Sequence, residues 1–323
     1  MTVIGFHASH EQVHPAALLE AVQRAETAGF DAAMCSDHLA PWSARQGHSG
    51  FAWAWLGAAL ATTDLRLGVV CAPGQRYHPA VVAQAAATLA AMFPGRFWVA
   101  LGSGENANEH VTGDPWPAKD VRDARLVECV GVIRRLLAGQ EVTHRGLVTV
   151  EQARVWSLPD EPPALVAPAV SVATAARSAA WADGLITVNQ PPTVLREVLA
   201  AYRDAGGRGP AAVQVHLSWA PDEQTALGAA HDQWRSNVFP PPGCWDLSTP
   251  AHFDAAADRV RPDDVREVVN VSADLARHAD WLAGYADLGF DEVYLHHVGQ
   301  EQGPFIDAFG EHVLPQLRSG ALR

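Results

Sequence analysis

The feature that most constrains the fold is a set of short apolar segments that recur along the whole chain. Most of them are continuous apolar runs rather than alternations of apolar and polar residues. Strands that are covered on both faces of a parallel sheet have this pattern. Eight segments fit it, at 2–6, 30–36, 65–72, 96–104, 164–169, 184–189, 212–219 and 291–298. We therefore expect a parallel sheet buried beneath other elements.

Helical patterns lie between most of the predicted strands. Residues 14–30 and 78–93 place apolar side chains at helical spacing, and Gly29 and Pro79 stand where a C-cap and a first turn would be. Residues 120–139 end in basic residues and a glycine, which favours a helix terminus. The alternation predicts parallel strands joined by right-handed crossovers. Eight such units predict an α/β fold of the (β/α)8 TIM-barrel type, with a doubly wound open sheet as the alternative.

Two segments do not follow this repeat. Residues 139–156 are predicted to form a hairpin, because the dipeptide "RG" separates two β-prone runs. Residues 221–274 form a long excursion that is rich in proline and tryptophan. A segment of that length inside a compact fold is usually a functional lid or an interface. The sequence therefore predicts one domain over residues 1–323, with the excursion inserted before the eighth strand.

Composition narrows the classes of function. The chain has 323 residues, a net charge of −13 and no basic run, so neither nucleic acid nor an anionic membrane is expected as a partner. No run of about 18 apolar residues occurs, and the first residues lack the pattern of a signal peptide. The four cysteines are widely spaced and form no metal-type motif. We expect a cytoplasmic enzyme that acts on a small molecule, and apolar helices with 11 tryptophans predict a homodimer.

Polar residues cluster where the predicted strands end. Active sites of (β/α)8 barrels lie on the loops that follow the carboxyl ends of the strands. Asp37, His38 and Trp42 follow the second strand, and Glu105 and Asn108 follow the fourth. Since Asp37 and His38 are neighbours, their side chains cannot point in one direction from an extended strand. Ordinary loop polarity is the simpler interpretation, but positions at strand ends favour catalysis.

Histidines are frequent but do not indicate a metal site. His7, His10 and Glu11 follow the first strand, and His296 and His297 end the eighth. Neighbouring residues of a strand face opposite sides, so the last two cannot chelate one ion. We expect no metal.

Residues 102–110, "GSGENANEH", are rich in glycine. They lack both the dinucleotide-binding fingerprint and the Walker lysine. A glycine-rich strand exit lets a flat ligand approach the backbone. The alternative is an ordinary loop in which Glu105 is a helix first-turn acid.

Three motifs together resemble a known family. They are "SDHLAPW" from Ser36, "CAPGQRYHPAVVAQ" from Cys71 and "GSGENANEH" from Gly102. In this order and at these distances they are similar to the luciferase-like flavin and deazaflavin oxidoreductases, and within them to the coenzyme F420-dependent glucose-6-phosphate dehydrogenase subgroup. The resemblance covers nearly the whole chain and implies a (β/α)8 barrel with an insertion.

The resemblance also implies roles for individual residues. His38 would transfer a proton beside the reacting carbon, and Asp37 would hold the cofactor ring or orient its neighbour. Trp42 would shape the pocket, Glu105 would act as an acid near the ring, and Glu11 would complete the polar wall. The implied cofactor contacts are Asp37, Val69, Val70, Ala72, Glu105, Asn108, Ala169, Val170 and Ser171.

Three of these contacts carry further expectations. Val69 and Val70 match the place where such barrels kink the third strand, often with a non-prolyl cis peptide. Ser171 opens a helix at the matching cofactor phosphate site, where a helix N-terminus suits an anion. The implied reaction moves a hydride from a carbinol carbon to the deazaflavin while His38 takes the hydroxyl proton.

The chain departs from the subgroup where the sugar phosphate would bind. Pro191 aligns with one of its lysines, Glu267 lies near its arginine, and residues 221–274 contain no lysine for the other cation. Loss of these cations predicts that glucose 6-phosphate is not the substrate. The segment "PAVS" replaces glycines at the cofactor phosphate site, so an FMN-dependent oxidoreductase or monooxygenase is the alternative to an F420-dependent one. A non-catalytic, flavin-binding barrel is a third possibility, against which Asp37, His38 and Glu105 argue.

Overall fold

Eight parallel strands close into a barrel, as predicted. The computed structural model describes residues 2–319. The strands are β1 Val3–Ala8, β2 Ala32–Ser36, β3 Arg66–Cys71, β4 Phe97–Leu101, β5 Val142–Arg145, β6 Thr149–Ala153, β7 Ala164–Pro168, β8 Gly184–Val188, β9 Ala211–Ser218, β10 Asn270–Val271 and β11 Glu292–His297. Parallel pairing runs through β1, β2, β3, β4, β7, β8, β9 and β11 and returns to β1. The pairing of β8 with β9 closes the barrel and excludes the open doubly wound sheet.

Helices cover the outside of the barrel. None within residues 2–319 is both long and apolar enough to cross a bilayer. The three predicted helices are confirmed as α1, α3 and α5, each within about two residues of its expected ends. The helices are α1 Pro15–Ala28, α2 Ala52–Thr62, α3 Pro79–Met92, α4 Asn106–Glu109, α5 Lys119–Leu137, α6 Val172–Ser178, α7 Pro192–Asp204, α8 Glu223–Trp234, α9 Gly243–Asp246, α10 Pro250–Ala256, α11 Leu275–Asp287, α12 Gln302–Ala308 and α13 Leu314–Ser319.

The ends of α1 show why the local sequence forms a helix there. The Nδ1 atom of His14 accepts a hydrogen bond from the amide of Ala16 at 3.3 Å, and Pro15 begins the helix. Gly29 ends it in the left-handed conformation, with φ of 94°. Glycine adopts that conformation without strain, so the C-terminal end of α1 was predictable from the sequence.

The lower half of the barrel is filled by two aromatic rings. Trp98 and Tyr294 point into the barrel and pack with small apolar side chains of neighbouring strands. They fit because Gly5 and Gly68 have no side chain: a Cβ atom on Gly68 would lie 1.9 Å from the Trp98 ring, and one on Gly5 would lie 2.3 Å from the Tyr294 ring. Arg66 and Glu292 form an ion pair at the lower end of the barrel, next to these rings. The inward-facing polar residues above the rings line the central cavity where the strands end.

The segment 221–274 is folded and lies between β9 and β11, the last two barrel strands. It contains α8, α9, α10 and the short β10, which pairs with β9 outside the barrel closure. Asp254 in α10 accepts a hydrogen bond from Ser43 Oγ at 2.6 Å, and Phe253 lies edge-on to Trp42 with ring centroids 5.2 Å apart. The excursion thus covers the loop that follows β2. The antiparallel pair β5–β6 occupies the segment 139–156.

Candidate active site

His38 lies between two carboxylates at the carboxyl end of the barrel. Its Nδ1 atom is 2.6 Å from Oε1 of Glu11, and its Nε2 atom is 3.6 Å from Oε2 of Glu105. Trp42 lies edge-on to the imidazole, with centroids 5.0 Å apart. The side chain of His38 keeps 18% of its surface exposed. Three predicted catalytic residues, Glu11, Trp42 and Glu105, therefore surround the imidazole of the fourth, and the four come from three different loops.

The two carboxylates set the protonation of His38. Burial alone would lower the pKa of His38, but the charge and hydrogen bond of Glu11 and the charge of Glu105 outweigh it and raise that pKa. The pKa of Glu11 is lowered to about 2 although burial opposes this, because His38 stabilises the carboxylate. Burial raises the pKa of Glu105. A proton can therefore reside on His38 near neutral pH while Glu11 stays ionised.

Asp37 points away from His38 into a buried ionic cluster. Nη2 of Arg76 donates to the Asp37 carbonyl at 2.6 Å and to its Oδ2 at 3.2 Å, and the Tyr77 hydroxyl lies 3.4 Å from Oδ1. Burial raises the pKa of Asp37, and the Arg76 charge partly offsets this. Asp37 therefore makes no relay with the neighbouring imidazole, although its side chain lines the same region.

The loop after β4 is tied to the loop after β2. Glu105 precedes α4, and Asn108 within α4 accepts a hydrogen bond from the Leu39 amide at 2.8 Å through Oδ1. The Arg76 amide donates to Oε2 of Glu109, at the end of α4, at 2.7 Å. These contacts fix the spacing between His38 and Glu105.

Two adjoining cavities meet at His38. A central cavity of about 580 Å³ lies over the barrel, and a side cavity of about 190 Å³ runs toward α5 and α6. The residues that line both are His38, Val70, Glu105, Pro168, Val170 and Trp245. The shared wall is thus largely apolar, and His38 and Glu105 are its two charged or titratable members.

The predicted cofactor contacts fall into three groups. Asp37, Ala72 and Asn108 line the side cavity, Ala169 lines the central one, and Val70, Glu105 and Val170 line both. Ser171 caps α6 through Oγ, which accepts from the Thr174 amide at 3.3 Å. The structure does not bring Val69 to either cavity. Its side chain is fully buried in the layer between barrel and helices, because alternate residues of β3 face opposite sides.

The expected cis peptide between Val69 and Val70 is wrong. Within residues 2–319 the cis peptide bond is Pro241–Pro242. Val69 and Val70 instead lie in unbroken register with β2 and β4, and ladder pairing on both sides holds this part of β3 in regular extended geometry.

Several cavity residues were not foreseen from the sequence. Gln214 and His216 on β9, Asn189 after β8 and Trp234 at the end of α8 all line the central cavity. The alternation of polar residues within "AVQVHLSW" is the signal that could have found Gln214 and His216, since alternate residues of a barrel strand point inward. His296 faces the cavity, whereas His297 stacks on Phe305 outside the barrel, with centroids 4.8 Å apart.

The positions expected to lack phosphate-binding cations do line the central cavity. Pro191 and Glu267 are both in its wall. No lysine or arginine among residues 2–319 lines it, and its acidic members are Glu11, Glu105 and Glu267. Lys119 lines the side cavity, where it donates to Ser103 Oγ at 3.2 Å and pairs with Asp123. Among the described residues, the central cavity therefore offers a phosphate no lysine or arginine.

No cluster suited to a metal ion occurs in the described part of the chain. Within residues 2–319, no three or more histidine, cysteine, aspartate or glutamate side chains are arranged to hold an ion. Burial lowers the pKa values of His7 and His216. The pKa of His38 is raised instead, because Glu11 and Glu105 lie beside it.

Comparisons with known proteins agree with the geometry. Residues 1–292 match the sequence model of a family described as luciferase-like monooxygenase. The chain is 33% identical to an F420-dependent glucose-6-phosphate dehydrogenase of Beutenbergia cavernae, over 99% of this chain and 98% of that protein. It is 34% identical to the enzyme of the same name from Microbacterium testaceum, over 97% of each chain. A solved F420-dependent secondary alcohol dehydrogenase, in complex with an F420-acetone adduct, superposes with a TM-score of 0.90 at 31% identity, over 98% of this chain and 99% of that one.

Proposed function

Because the chain belongs to the luciferase-like monooxygenase family, we propose that it is an oxidoreductase that transfers a hydride between coenzyme F420 and a small organic substrate. The observation that carries this proposal is the position of His38, between Glu11 and Glu105, at the junction of the two cavities. The relatives named above, which use F420, favour this coenzyme over FMN.

The residues around the junction fit a flat, partly polar ring. Val70, Pro168 and Val170 supply an apolar wall. Gly104 adopts a φ of 85°, and a Cβ atom there would lie 3.0 Å from Glu109 and 3.5 Å from Ala72, so glycine allows the close packing of this loop beside the side cavity. We propose that the coenzyme is held by Asp37, Val70, Ala72, Glu105, Asn108, Ala169, Val170 and Ser171.

The deazaflavin, when bound, would supply the hydride-accepting carbon. His38 would take the hydroxyl proton of an alcohol, or return it to a carbonyl in the reverse direction. Glu11 would hold the imidazole through Nδ1 and leave Nε2 for the substrate. Glu105 would stabilise the protonated imidazole, and Trp42 would exclude water from one side of it.

We propose that glucose 6-phosphate is not the substrate, although two relatives carry that activity in their names. A phosphate dianion in the central cavity would meet Glu11, Glu105 and Glu267 without a lysine or arginine among the described residues that line it. Charge-assisted hydrogen bonds of the kind that hold phosphate are thus missing. A small uncharged alcohol or carbonyl compound fits the cavity better.

Titration of the purified protein with F420 and with FMN tests the coenzyme. We expect F420 to bind at least about tenfold more tightly than FMN. Bound F420 should then be reduced on addition of isopropanol and not on addition of glucose 6-phosphate. Tight binding of FMN alone would replace the proposal with an FMN-dependent reaction. Reduction by glucose 6-phosphate would show that another cation supplies the phosphate contact.

We also propose that residues 1–323 form a single domain that works as a homodimer in the cytoplasm. The four cysteines are unpaired, as expected in a reducing compartment. Helices α2 and α3 contain no charged residue, which supports a second chain against their outer faces.

A further inference from the structure

A chain of hydrogen bonds lies beneath the central cavity and plays no part in the reaction proposed above. It consists of Gln12, His296, Gln214 and His216, and the last three line the cavity together with His7. Side chains placed there meet whatever part of a substrate extends into the barrel.

The first links fix the proton on His296. The side-chain amide nitrogen of Gln12 donates to the Val298 carbonyl, so its Oε1 atom faces His296. Nε2 of His296 lies 2.7 Å from that oxygen. An amide oxygen can only accept, so Nε2 of His296 carries the proton and Nδ1 is an acceptor.

The remaining links follow from this assignment. Gln214 must present its amide nitrogen to Nδ1 of His296, at 3.1 Å. The same nitrogen lies 3.3 Å from Nε2 of His216, which therefore also accepts. His216 is then left with a donor at Nδ1 and Gln214 with an acceptor at Oε1. The chain ends at the cavity with one donor and one acceptor and without net charge.

The surroundings keep these histidines neutral. Burial lowers the pKa of His7 to about 3 and that of His216 to about 4, and it lowers the pKa of His296 well below its ordinary value. The charge of Glu11 opposes the effect of burial on the pKa of His7 but is smaller than it. The site therefore stays uncharged at neutral pH.

His7 adds a third ring to the cavity wall beside this chain. Its buried Nδ1 atom has no hydrogen-bond partner among residues 2–319. The ring packs on His296 with centroids 4.3 Å apart and lines the cavity. Because Nδ1 is shielded from the accessible space, a ligand in the cavity would meet the rest of the His7 ring.

We propose that His7, Gln214 and His216 form an uncharged subsite that binds a second hydroxyl or carbonyl group of the substrate, apart from the group that reacts at His38. The inference rests on the proposed function and names its substrate class: an uncharged molecule with two oxygen functions. Trp234 packs against His216 and His296, with centroids at 4.8 and 4.7 Å, and offers its ring to the carbon skeleton. Glu11, Glu105 and Glu267 would repel an anion, and no lysine or arginine among the described residues that line the cavity would pair with it.

Three matched ketones test the subsite by ligand-detected NMR, without any turnover. Hydroxyacetone has the second uncharged oxygen, acetone lacks it, and pyruvate replaces it with a carboxylate. We expect hydroxyacetone to bind about fivefold more tightly than acetone and at least about tenfold more tightly than pyruvate. Gln214→Leu should reduce hydroxyacetone binding to the level of acetone. His216→Phe keeps a flat ring beside Trp234 and should have the same effect on hydroxyacetone binding. It replaces Gln214→Leu as the test if that variant does not fold.

Gln190→Leu is the matched control, since Gln190 lines the same cavity outside the hydrogen-bonded chain. It should retain the wild-type preference among the three ketones. Equal binding of hydroxyacetone and pyruvate by the wild type, or an unchanged preference in both subsite variants, would overturn the inference. The coenzyme titration is independent of these measurements, so a protein that failed to bind F420 would refute the proposed function and leave the subsite result standing.

Discussion

At the scale of single residues, the proposed chemistry depends on two carboxylates that raise the pKa of His38. Glu11 contacts Nδ1 directly, whereas Glu105 lies farther away, next to Nε2. Both raise the pKa of the imidazole against the effect of burial. For oxidation of an alcohol His38 must be deprotonated, so activity should rise as the pH passes this raised pKa.

Replacement of Glu105 by glutamine tests this electrostatic assignment. Glu105→Gln removes a charge that stabilises protonated His38, so the pKa of His38 falls and the rise of kcat/KM for alcohol oxidation moves to lower pH. The pH profile of F420 reduction measures the shift. Glu267→Gln removes a charge from the same cavity away from His38 and should leave the profile in place. A shift toward higher pH in Glu105→Gln would contradict the assignment.

The sequence predicts residue identities better than side-chain directions. Glu11, His38, Trp42 and Glu105 could be named because polar residues at strand ends converge on one face of a barrel. Val69 was misplaced because a resemblance does not fix which of two neighbouring strand residues points inward. His216 was overlooked although the alternation of polar residues in its strand indicates an inward direction, because candidate residues were taken from the strand ends and not from within the strands.

At the scale of elements, Arg76 joins the two loops that hold the proposed catalytic groups His38 and Glu105. It comes from the loop after β3, donates to Asp37 after β2, and contacts Glu109 after β4. Its side chain is only 9% exposed. Breaking such a buried pair leaves carboxylates without a partner in a poorly solvated place.

Arg76→Met should therefore lower the free energy of unfolding by about 3–5 kcal/mol, measured by urea denaturation. Arg45→Met removes the exposed pair with Asp232 and should cost about 0–1 kcal/mol. Similar small losses in both variants would mean that the Arg76 cluster is not a structural tie.

Gly68→Ala tests the packing that fills the lower barrel. The added Cβ atom would lie 1.9 Å from Trp98, so the ring or the backbone must move. We expect the free energy of unfolding to fall by roughly 1–3 kcal/mol. Gly131→Ala, on the exposed face of α5 with no atom within 4 Å of the new Cβ, should raise it by about 0.5–1 kcal/mol. Equal stability of the two variants would refute the packing argument.

Element positions were largely predictable, for physical reasons. Buried parallel strands are continuous apolar runs, and Gly29 and Pro79 mark helix ends by their backbone preferences. The path of residues 221–274 was not predictable, because its short helices are held by long-range contacts such as Ser43 with Asp254 rather than by local periodicity.

At the scale of the whole molecule, α2 and α3 carry no charged residue, and Gln84 and Thr88 are the exposed polar residues of α3. Val81 and Met92 on α3 remain exposed in the single chain, at 53% and 60%. Surface helices normally carry polar residues on the outer face, so a second copy of the chain is the expected cover.

We expect light scattering to give twice the mass of one chain at micromolar concentration. Val81→Lys should shift the protein toward the monomer, because burying an unpaired charge opposes association. Val172→Lys, at an exposed position on α6, should leave the dimer intact. A wild-type monomer would contradict the homodimer.

The central claim is that strand-end residues assemble around His38 to move a proton while F420 exchanges the hydride. Reduction of F420 by isopropanol, compared between the wild type and His38→Ala at equal coenzyme occupancy, tests it most directly. The account predicts that His38→Ala binds F420 as tightly as the wild type and turns over at least ~100-fold more slowly. Unchanged turnover in His38→Ala would remove the imidazole from the reaction and contradict the account.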